Sequence, residues 1–464
     1  MRIFYKKSLD AMHLSAQERP LKKSLGAFDL LLLGIGCVIG TGIFVLTGQA
    51  AAHYAGPAIT LSYALAGFAC VFAALAYAEL ASMVPLAGSA YTYAYVSMGE
   101  IVAWAVGWGL MLEYAVGAST VAAGWSGYMV GILRVVGIHL PAVLTKVPSD
   151  GGIINLPAVL IALFVGLLLV RGTKEGAVVN RFLVSIKLGA IFIFIAVASP
   201  HIKAVNWENF MPFGWNGVAT GAGAIFFAYV GFDAVACAAE ECKNPNRDLP
   251  IGIIGSLLVC TLLYITVAGV LTGIVPFSTL NNPEPLASAL RANGSNIGSA
   301  LVATGAIAGM TSVLLVLMYG QSRIFFVMSR DGLLPQFFSI LHKRFQTPYI
   351  SSIIIAVAVA LISGLTPIRT MGDLTSMGTL FAFIIVAIGV LVMRSTRPDI
   401  KRPFRCPAVY IVAPIAILSC GFLIFELLQT TGKPFAIWGA FGLVVYFSYR
   451  TLRPQRQIEV RDAN

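Results

Sequence analysis

Four ionisable side chains lie inside long apolar stretches of this sequence, where a charge needs a partner or a task. They are Glu79, Glu113, Lys187 and Asp233. If these stretches cross a membrane, each charge costs about 2.5–3.5 kcal/mol on insertion scales. Lys187 lies about 9 Å along a helix beyond Arg181. Its amine can return to the membrane surface, or stay buried and exchange a proton. Glu79 is expected to be structural or interfacial.

Glycines crowd two of the same stretches. GIGCVIGTGIF contains Gly34, Gly36, Gly40 and Gly42, and GAGAIFFAYVGFDAVA contains Gly221, Gly223 and Gly231. Each glycine weakens a helix interior by roughly 1 kcal/mol relative to alanine. An interrupted helix exposes N–H groups on one half and C=O groups on the other, which suit the carboxylate and the ammonium of an amino acid. Alternatively, the glycines only permit close helix packing, as a GxxxG pair does.

The composition is that of an integral membrane protein. The 464 residues are 58% hydrophobic and only 11% charged, whereas soluble domains contain about 25% charged residues. The 31 Lys+Arg exceed the 20 Asp+Glu, an excess typical of cytoplasmic loops of membrane proteins, so no nucleic-acid partner is expected. The seven cysteines form no CxxC pair, and we expect no metal site and no cofactor. The N-terminus lacks the apolar core of a signal peptide.

The apolar runs predict an all-α protein with twelve transmembrane helices, because about 20 apolar residues cross a bilayer. Their predicted ranges are 28–52, 57–84, 97–132, 152–170, 178–199, 216–240, 250–275, 298–328, 349–366, 371–394, 406–429 and 434–451. With the N-terminus inside, the inner segments hold 24 of the 31 basic residues and the outer segments hold 6. This asymmetry predicts that both termini are cytoplasmic in a multi-pass protein of the plasma membrane.

The two glycine-rich spans are the first and the sixth, so they are five spans apart. Paired interrupted helices in corresponding positions indicate the binding site of a transporter built from inverted repeats. We therefore predict a first repeat over 28–199, a second over 216–394, and two further helices over 406–451. A cytoplasmic N-terminal segment, 1–27, precedes them, and a cytoplasmic tail, 452–464, follows.

Four motifs carry a resemblance to a known family. They are IGTGIFVLTG at 39–48, GSAYTYAY at 88–95, FFAYVGFDAVACAAEECKNPNRDLPIGI at 226–253 and GQSRIFFVMSRDGLLP at 320–335. In this order the chain, from about residue 22 to 455, resembles the amino acid–polyamine–organocation superfamily, and within it bacterial members of the cationic amino acid transporter family. The resemblance implies a five-plus-five inverted repeat with broken helices 1 and 6, plus two C-terminal helices.

The resemblance also implies which residues bind the substrate. The carboxylate would lie on the backbone of Gly40, Thr41 and Gly42. The ammonium would meet carbonyls of Val38 or Ile39 in span 1, and of Phe227 and Val230 in span 6. The Phe227 ring would cover the substrate, although plain core packing is the alternative. The apolar wall would come from span 8, around Leu314, Leu317 and Met318, which favours small or apolar substrates.

Proton coupling is implied by the position of Lys187. Some relatives hold a sodium ion between spans 1 and 8, and in proton-coupled relatives a span 5 lysine takes that place. Lys187 matches this lysine, so its protonation could be linked to substrate occupancy. Glu113, beside the expected pocket, and Asp233, just past the span 6 break, could each carry a proton, tune the pocket, or be structural.

The sequence thus predicts a secondary active transporter that carries neutral, alanine-like L-amino acids with protons by alternating access. Its partners would be the amino acid, protons and membrane lipids, and an accessory subunit is left open. An exchanger, uptake of cationic amino acids, and a sensor that binds without transport are the alternatives. An enzyme is not expected, because the five histidines lie outside the spans and no HExxH or serine-nucleophile motif occurs.

Overall fold

The computed structural model describes residues 25–84, 89–172, 177–239 and 242–452, and the regular elements in these ranges are helical. Leu25 and Cys242 form an isolated β-bridge. The main helices are α1 (Ala27–Val38), α2 (Ile59–Met83), α3 (Ser89–Ser97), α4 (Glu100–Val135), α5 (Leu156–Arg171), α6 (Ala177–Ala198), α7 (Gly214–Ile225), α8 (Ala234–Cys237), α9 (Pro245–Ile274), α10 (Pro285–Ala292), α11 (Asn296–Arg330), α12 (Tyr349–Leu365), α13 (Ile368–Thr396) and α14 (Val409–Leu452). The predicted terminal segments, 1–27 and 452–464, lie almost entirely outside the described residues.

Seven helical runs in the described ranges are long and apolar enough to cross a membrane. The run Gly42–Met83 has 42 residues, about twice the length that a bilayer requires. Its backbone turns at Gly56, which has a φ of +60° and precedes Pro57. A positive φ is easily adopted only by glycine. The run therefore contains the end of the predicted first span and the whole of the second.

The last helix, α14, differs from the sequence prediction, because its 44 helical residues are uninterrupted where a loop was expected between 429 and 434. A straight helix of that length would extend about 66 Å. However, the N–H of Cys406 bonds Glu79 at the end of α2, while Tyr446 bonds Glu100 at the start of α4. Only α3 separates those two positions, so both ends of α14 lie on one side and the chain doubles back. Pro434 lies inside the run, where its ring disrupts helical bonding.

A buried ion cluster ties the helix ends on this side together. Glu79 is only 1% exposed and accepts two hydrogen bonds from Arg394, at 2.8 and 2.7 Å. The Nε of Arg402 lies 3.3 Å from the same carboxylate. Because a buried charge must be paired, the cluster explains why an acid is tolerated near the end of α2. Glu79 is structural, in line with the sequence prediction.

Candidate functional site

The first helix is interrupted at the predicted glycines. Helix α1 ends at Val38, and Ile39 is extended, with φ −76° and ψ 102°. Helical structure resumes at Thr41 and continues as a π-helix from Gly42 to Leu46. The N–H groups at such a helix start have no preceding carbonyl partner within the helix. The Thr41 hydroxyl is fully buried and has no hydrogen-bond partner in the described part of the chain, which is typical of a group that meets a ligand.

A second interruption follows α7. A 3₁₀ turn, Phe226–Tyr229, leads to Val230, whose ψ of 132° is extended. Gly231 has a φ of +115°, a conformation that a side chain would strain. The short helix α8 begins three residues later. This break therefore places Phe227 and Val230 at the end of a helical segment, and it leaves their side chains almost buried, at 5% and 8% exposure.

The two breaks lie directly against each other. A Cβ atom built on Gly42 would come within 2.5 Å of the Cα of Ala228. A Cβ atom on Gly231 would come within 3.0 Å of the Cβ of Cys37 and 3.1 Å of its carbonyl oxygen. Both glycines are thus required for the approach of one backbone to the other, and the unwound segments form one continuous surface of backbone groups.

Four carbonyl groups were expected to meet the ammonium of the substrate. Three of them already accept one hydrogen bond each. Val38 accepts from the hydroxyl of Tyr264 at 2.9 Å, and Ile39 accepts from the amine of Lys187 at 3.2 Å. Phe227 accepts from the N–H of Val230 at 3.1 Å. A carbonyl oxygen has two lone pairs, so each of these groups could still accept a second donor.

Lys187 is the most completely buried charged side chain near the breaks, with 0% exposure. Its amine donates to the carbonyl of Gly36 at 2.6 Å, to that of Ile39 at 3.2 Å and to the hydroxyl of Ser312 at 3.2 Å. These contacts use all three N–H groups of an ammonium. They join α6 to the C-terminal end of α1, where the helix dipole favours a cation, and to α11.

Beyond the first break, residues of α4, α11, α13 and the 3₁₀ turn Phe226–Tyr229 surround Gly117. A Cβ atom on Gly117 would lie 3.3 Å from Thr375, 3.7 Å from the Phe227 ring and 3.8 Å from Leu317. We call these four residues the candidate pocket. Gly117 and Thr375 were not predicted from the sequence, because nothing in their spacing shows that they face the breaks.

The three residues predicted for the wall of span 8 are separated by the rotation of α11. Leu317 borders the candidate pocket, whereas the methyl group of Met318 lies near Gly166 of α5, on another side of the helix. Leu314 is fully buried. Consecutive residues differ by about 100° around a helix axis, and this difference is enough to turn Met318 away from Gly117.

Glu113 lies one helical turn before Gly117, and its Cβ faces Gly378 of α13. It is 2% exposed, and its Oε2 atom has no hydrogen-bond partner among the described residues. Asp233, 3% exposed, accepts a hydrogen bond of 3.4 Å from Ser89 of α3. The two acids are close enough to interact electrostatically.

The opposite end of the bundle is covered by the start of α10 and the residue that precedes it. Pro285 fills the space beside Gly48, and the carboxylate of Glu284 fills the space beside Gly131. Burial raises the pKa of this carboxyl group, and its hydrogen bond from Arg291 opposes the rise. In the described ranges, no group of three or more His, Cys, Asp or Glu side chains could hold a metal ion.

Comparison with known proteins identifies the family of this chain. The family model described as "Amino acid permease" matches residues 25–447, which include both breaks, Lys187 and the candidate pocket. This chain belongs to the amino acid permease family. It is therefore an amino acid transporter of the amino acid–polyamine–organocation superfamily, a multi-pass membrane protein and not an enzyme.

Relatives of this permease are named for different substrates. It is 46% identical to the "Branched-chain amino acid permease BcaP" of Bacillus subtilis, over 96% of this chain and 97% of the relative. It is 45% identical to the "Methylthioribose transporter" of the same organism, with the same coverage. It is 39% identical to the "Cationic amino acid transporter 4, vacuolar" of Arabidopsis thaliana, over 85% of this chain and 67% of the relative.

The size of the candidate pocket can be tested at Gly117. We expect Gly117→Ala to exclude large side chains while leaving alanine uptake nearly unchanged, because the new methyl group would contact Phe227 and Leu317. One methyl group in an apolar pocket changes discrimination by about 10–200-fold. The measurement is competition of each amino acid against labelled alanine. Gly189→Ala is the control, since a Cβ there meets nothing within 4 Å. An identical competition profile for both variants would contradict this wall.

Proposed function

We propose that this permease carries neutral L-amino acids into the cell together with protons. The observation that carries the proposal is the junction of the two breaks, where a helix start at Thr41 lies against a helix end at Val230 and the buried amine of Lys187 donates to the carbonyl of Ile39. A zwitterion needs both kinds of backbone group. The lysine supplies a side chain that can gain and lose a proton.

The small, uncharged lining of the candidate pocket favours neutral substrates. Gly117, Thr375, Phe227 and Leu317 offer one glycine, one hydroxyl group and apolar surface. Such a lining stabilises an apolar side chain but offers no negatively charged partner to a terminal amine. The name of the Bacillus subtilis relative, a branched-chain amino acid permease, also supports this proposal. We propose a broad range that includes alanine and branched-chain amino acids.

Cationic amino acids are the second candidate, and Glu113 is the observation that favours them. Its Oε2 atom has no hydrogen-bond partner among the described residues, and it lies one turn from Gly117. A substrate amine of sufficient length could pair with it. Relatives named as cationic amino acid transporters also favour this reading.

We also propose twelve spans arranged as two inverted repeats, 28–199 and 216–394, followed by two helices within 406–451. The support comes from helix packing. Extensive contacts pair α4 with α11, α2 with α9, and α5 with α12, which are spans 3 with 8, 2 with 7, and 4 with 9. Other extensive contacts pair spans 3 with 10 and 8 with 5. A shift by five spans converts each of the first three pairs into itself and exchanges the last two, as an inverted repeat requires.

Both termini are proposed to be cytoplasmic, because the basic residues concentrate on that side. Glu284 and α10 then cover the outer end of the site, and the Glu79 cluster lies at the inner end. Transport would proceed by alternating access, with the helices around the two breaks moving relative to the rest.

Uptake into proteoliposomes tests the function directly. All twenty amino acids are offered with an inward proton gradient, without a gradient, and with unlabelled amino acid inside. We expect accumulation of alanine, valine and leucine only with the gradient. Arginine and lysine accumulating instead would favour the cationic reading. If uptake ignored the gradient and required internal amino acid, exchange would replace symport. Binding of an amino acid with no uptake under any of the three conditions would indicate a sensor.

A further inference from the structure

A cavity of about 700 Å³ opens far from the breaks, between the C-terminal ends of α5 and α11 and the segment 341–348 that leads into α12. Arg171, Arg323 and Arg344 line it, and the described residues of its lining include no acid. None of the three arginines belongs to an ion pair in the described part of the chain. Three positive charges that line one cavity, with no ion-pair partner among the described residues, favour an anionic ligand.

Much of the rest of the lining is apolar or aromatic, beside two serines, a threonine and a glutamine. Leu169, Phe326 and Leu341 form part of the wall, and Phe345 is 37% exposed at the rim. Purely polar anions gain nothing from such a surface, whereas a phosphate attached to hydrocarbon gains both the charge and the apolar contact. The combination therefore selects an amphipathic anion.

Arg323 lies at an unusual depth for an exposed charge. It precedes the end of α11 by seven residues, which corresponds to about 10 Å along the helix. Its guanidinium lies 4.7 Å from the centre of the Tyr319 ring and donates a hydrogen bond to the Tyr319 hydroxyl. An exposed arginine and a tyrosine at this distance from a helix end are typical of the headgroup layer.

Arg344 is presented by a folded segment. The N–H of His342 donates to the carbonyl of Thr347 at 2.8 Å, and the N–H of Gln346 donates to the carbonyl of His342 at 2.9 Å. The Thr347 hydroxyl donates to Val170 of α5 at 2.8 Å. Because these bonds fix the segment against α5, little conformational entropy is lost when Arg344 binds a ligand.

We propose that this cavity binds the phosphate of an anionic phospholipid from the cytoplasmic leaflet, with its acyl chains along the exposed sides of α11 and α12. The leaflet follows from the proposed orientation, whereas the binding chemistry does not depend on which substrate is transported. Exposed apolar side chains on α12, among them Ile353 and Ile354, provide the surface for the acyl chains.

Native mass spectrometry of the detergent-solubilised full chain tests the proposal. The probes are phosphatidylglycerol and phosphatidylcholine with identical acyl chains. We expect tighter binding of phosphatidylglycerol, and a loss of about fivefold for each of Arg323→Gln and Arg344→Gln, since each basic residue near the membrane surface contributes about that factor. Lys343→Gln and Arg330→Gln are matched controls. They remove the same charge from the same segment and helix, but neither residue lines the cavity.

Three results would overturn the proposal. One is equal binding of the two lipids, and another is an equal loss in the controls and the cavity variants. The third is displacement of phosphatidylglycerol by millimolar inorganic phosphate, which would assign the cavity to a soluble anion. Arg344→Gln alters an exposed segment outside the helices, so it remains informative even if Arg323→Gln destabilises α11. Uptake assays in parallel report separately on the transport function.

Discussion

Lys187→Met should abolish amino acid accumulation driven by an inward proton gradient, while substrate binding survives. The amine of Lys187 donates to Gly36, Ile39 and Ser312, and through them it connects α6 to α1 and α11. Methionine retains the length and the apolar bulk but cannot carry a proton. We expect the protonated amine to hold the three helices together in one state and deprotonation to release them. A side chain that cannot exchange a proton cannot drive this cycle.

The variant should still fold, because it removes a buried charge whose desolvation is itself unfavourable. Two carbonyls at the end of α1 lose a donor, each at about 1–3 kcal/mol. Lys187→Arg should also lose accumulation, since a guanidinium does not release its proton in the working pH range. Lys203→Met, at an exposed lysine, is the control for loss of a positive charge.

The measurement is amino acid uptake as a function of external pH, with an internal pH dye recorded in parallel. Wild-type protein should acidify the vesicle lumen during alanine uptake, and the methionine variant should not. Equilibrium binding of alanine, measured separately, should persist in both. An unchanged pH dependence in Lys187→Met would transfer the coupling role to Glu113 or Asp233.

Gly42→Val should abolish substrate binding. A Cβ atom at Gly42 falls within 2.5 Å of the backbone of Ala228, and backbone cannot rotate away as a flexible side chain can. The valine therefore separates the two breaks, and the N–H groups beside Thr41 lose their position relative to the carbonyls of the second break. Overpacking a tight contact usually costs about 1–3 kcal/mol, so the protein is expected to fold with reduced stability.

Thr41→Ala gives the graded comparison, because it removes one hydroxyl donor without changing the backbone. We expect it to weaken binding by about 0.5–1.5 kcal/mol. Gly421→Val is the control for adding valine to a helix where a Cβ meets nothing within 4 Å. Binding of labelled alanine to monodisperse, thermally characterised protein is the readout. Full alanine affinity in a folded Gly42→Val protein would place the carboxylate elsewhere.

The position of both interruptions could be predicted from the sequence, since glycine density and the single acid after the second break are local signals. The faces of the helices could not. Helix α11 turns Leu317 toward Gly117 and Met318 toward Gly166, and this rotation depends on packing against α4 and α5 rather than on any pattern within α11. Gly117 and Thr375 were not predicted for the same reason. The role of a small residue in an apolar helix depends on which residues face it in the folded protein.

The partners of the charged residues could not be predicted from the sequence either. That Glu79 is structural follows from its place near a helix end, but its partners are 315 and more residues away in the chain. The resemblance, rather than spacing, suggested that Lys187 lies between the first and eighth spans. Its three acceptors come from two other helices, and no single-sequence pattern connects them. The helical residues between 429 and 434 were not predicted, because Pro434 usually marks a helix boundary.

The close approach of the two breaks also limits how this permease can diverge. Each glycine faces main chain of the other broken helix, so no exchange of side chains at the partner position could make room for a larger residue. The lining of the candidate pocket, in contrast, is contributed mostly by side chains of α4, α11 and α13. Substitutions there can change which side chain is accepted and leave the backbone junction intact. A single mutation can therefore change which substrate side chain is accepted. A change in the recognition of the amino acid head group would require several mutations at once.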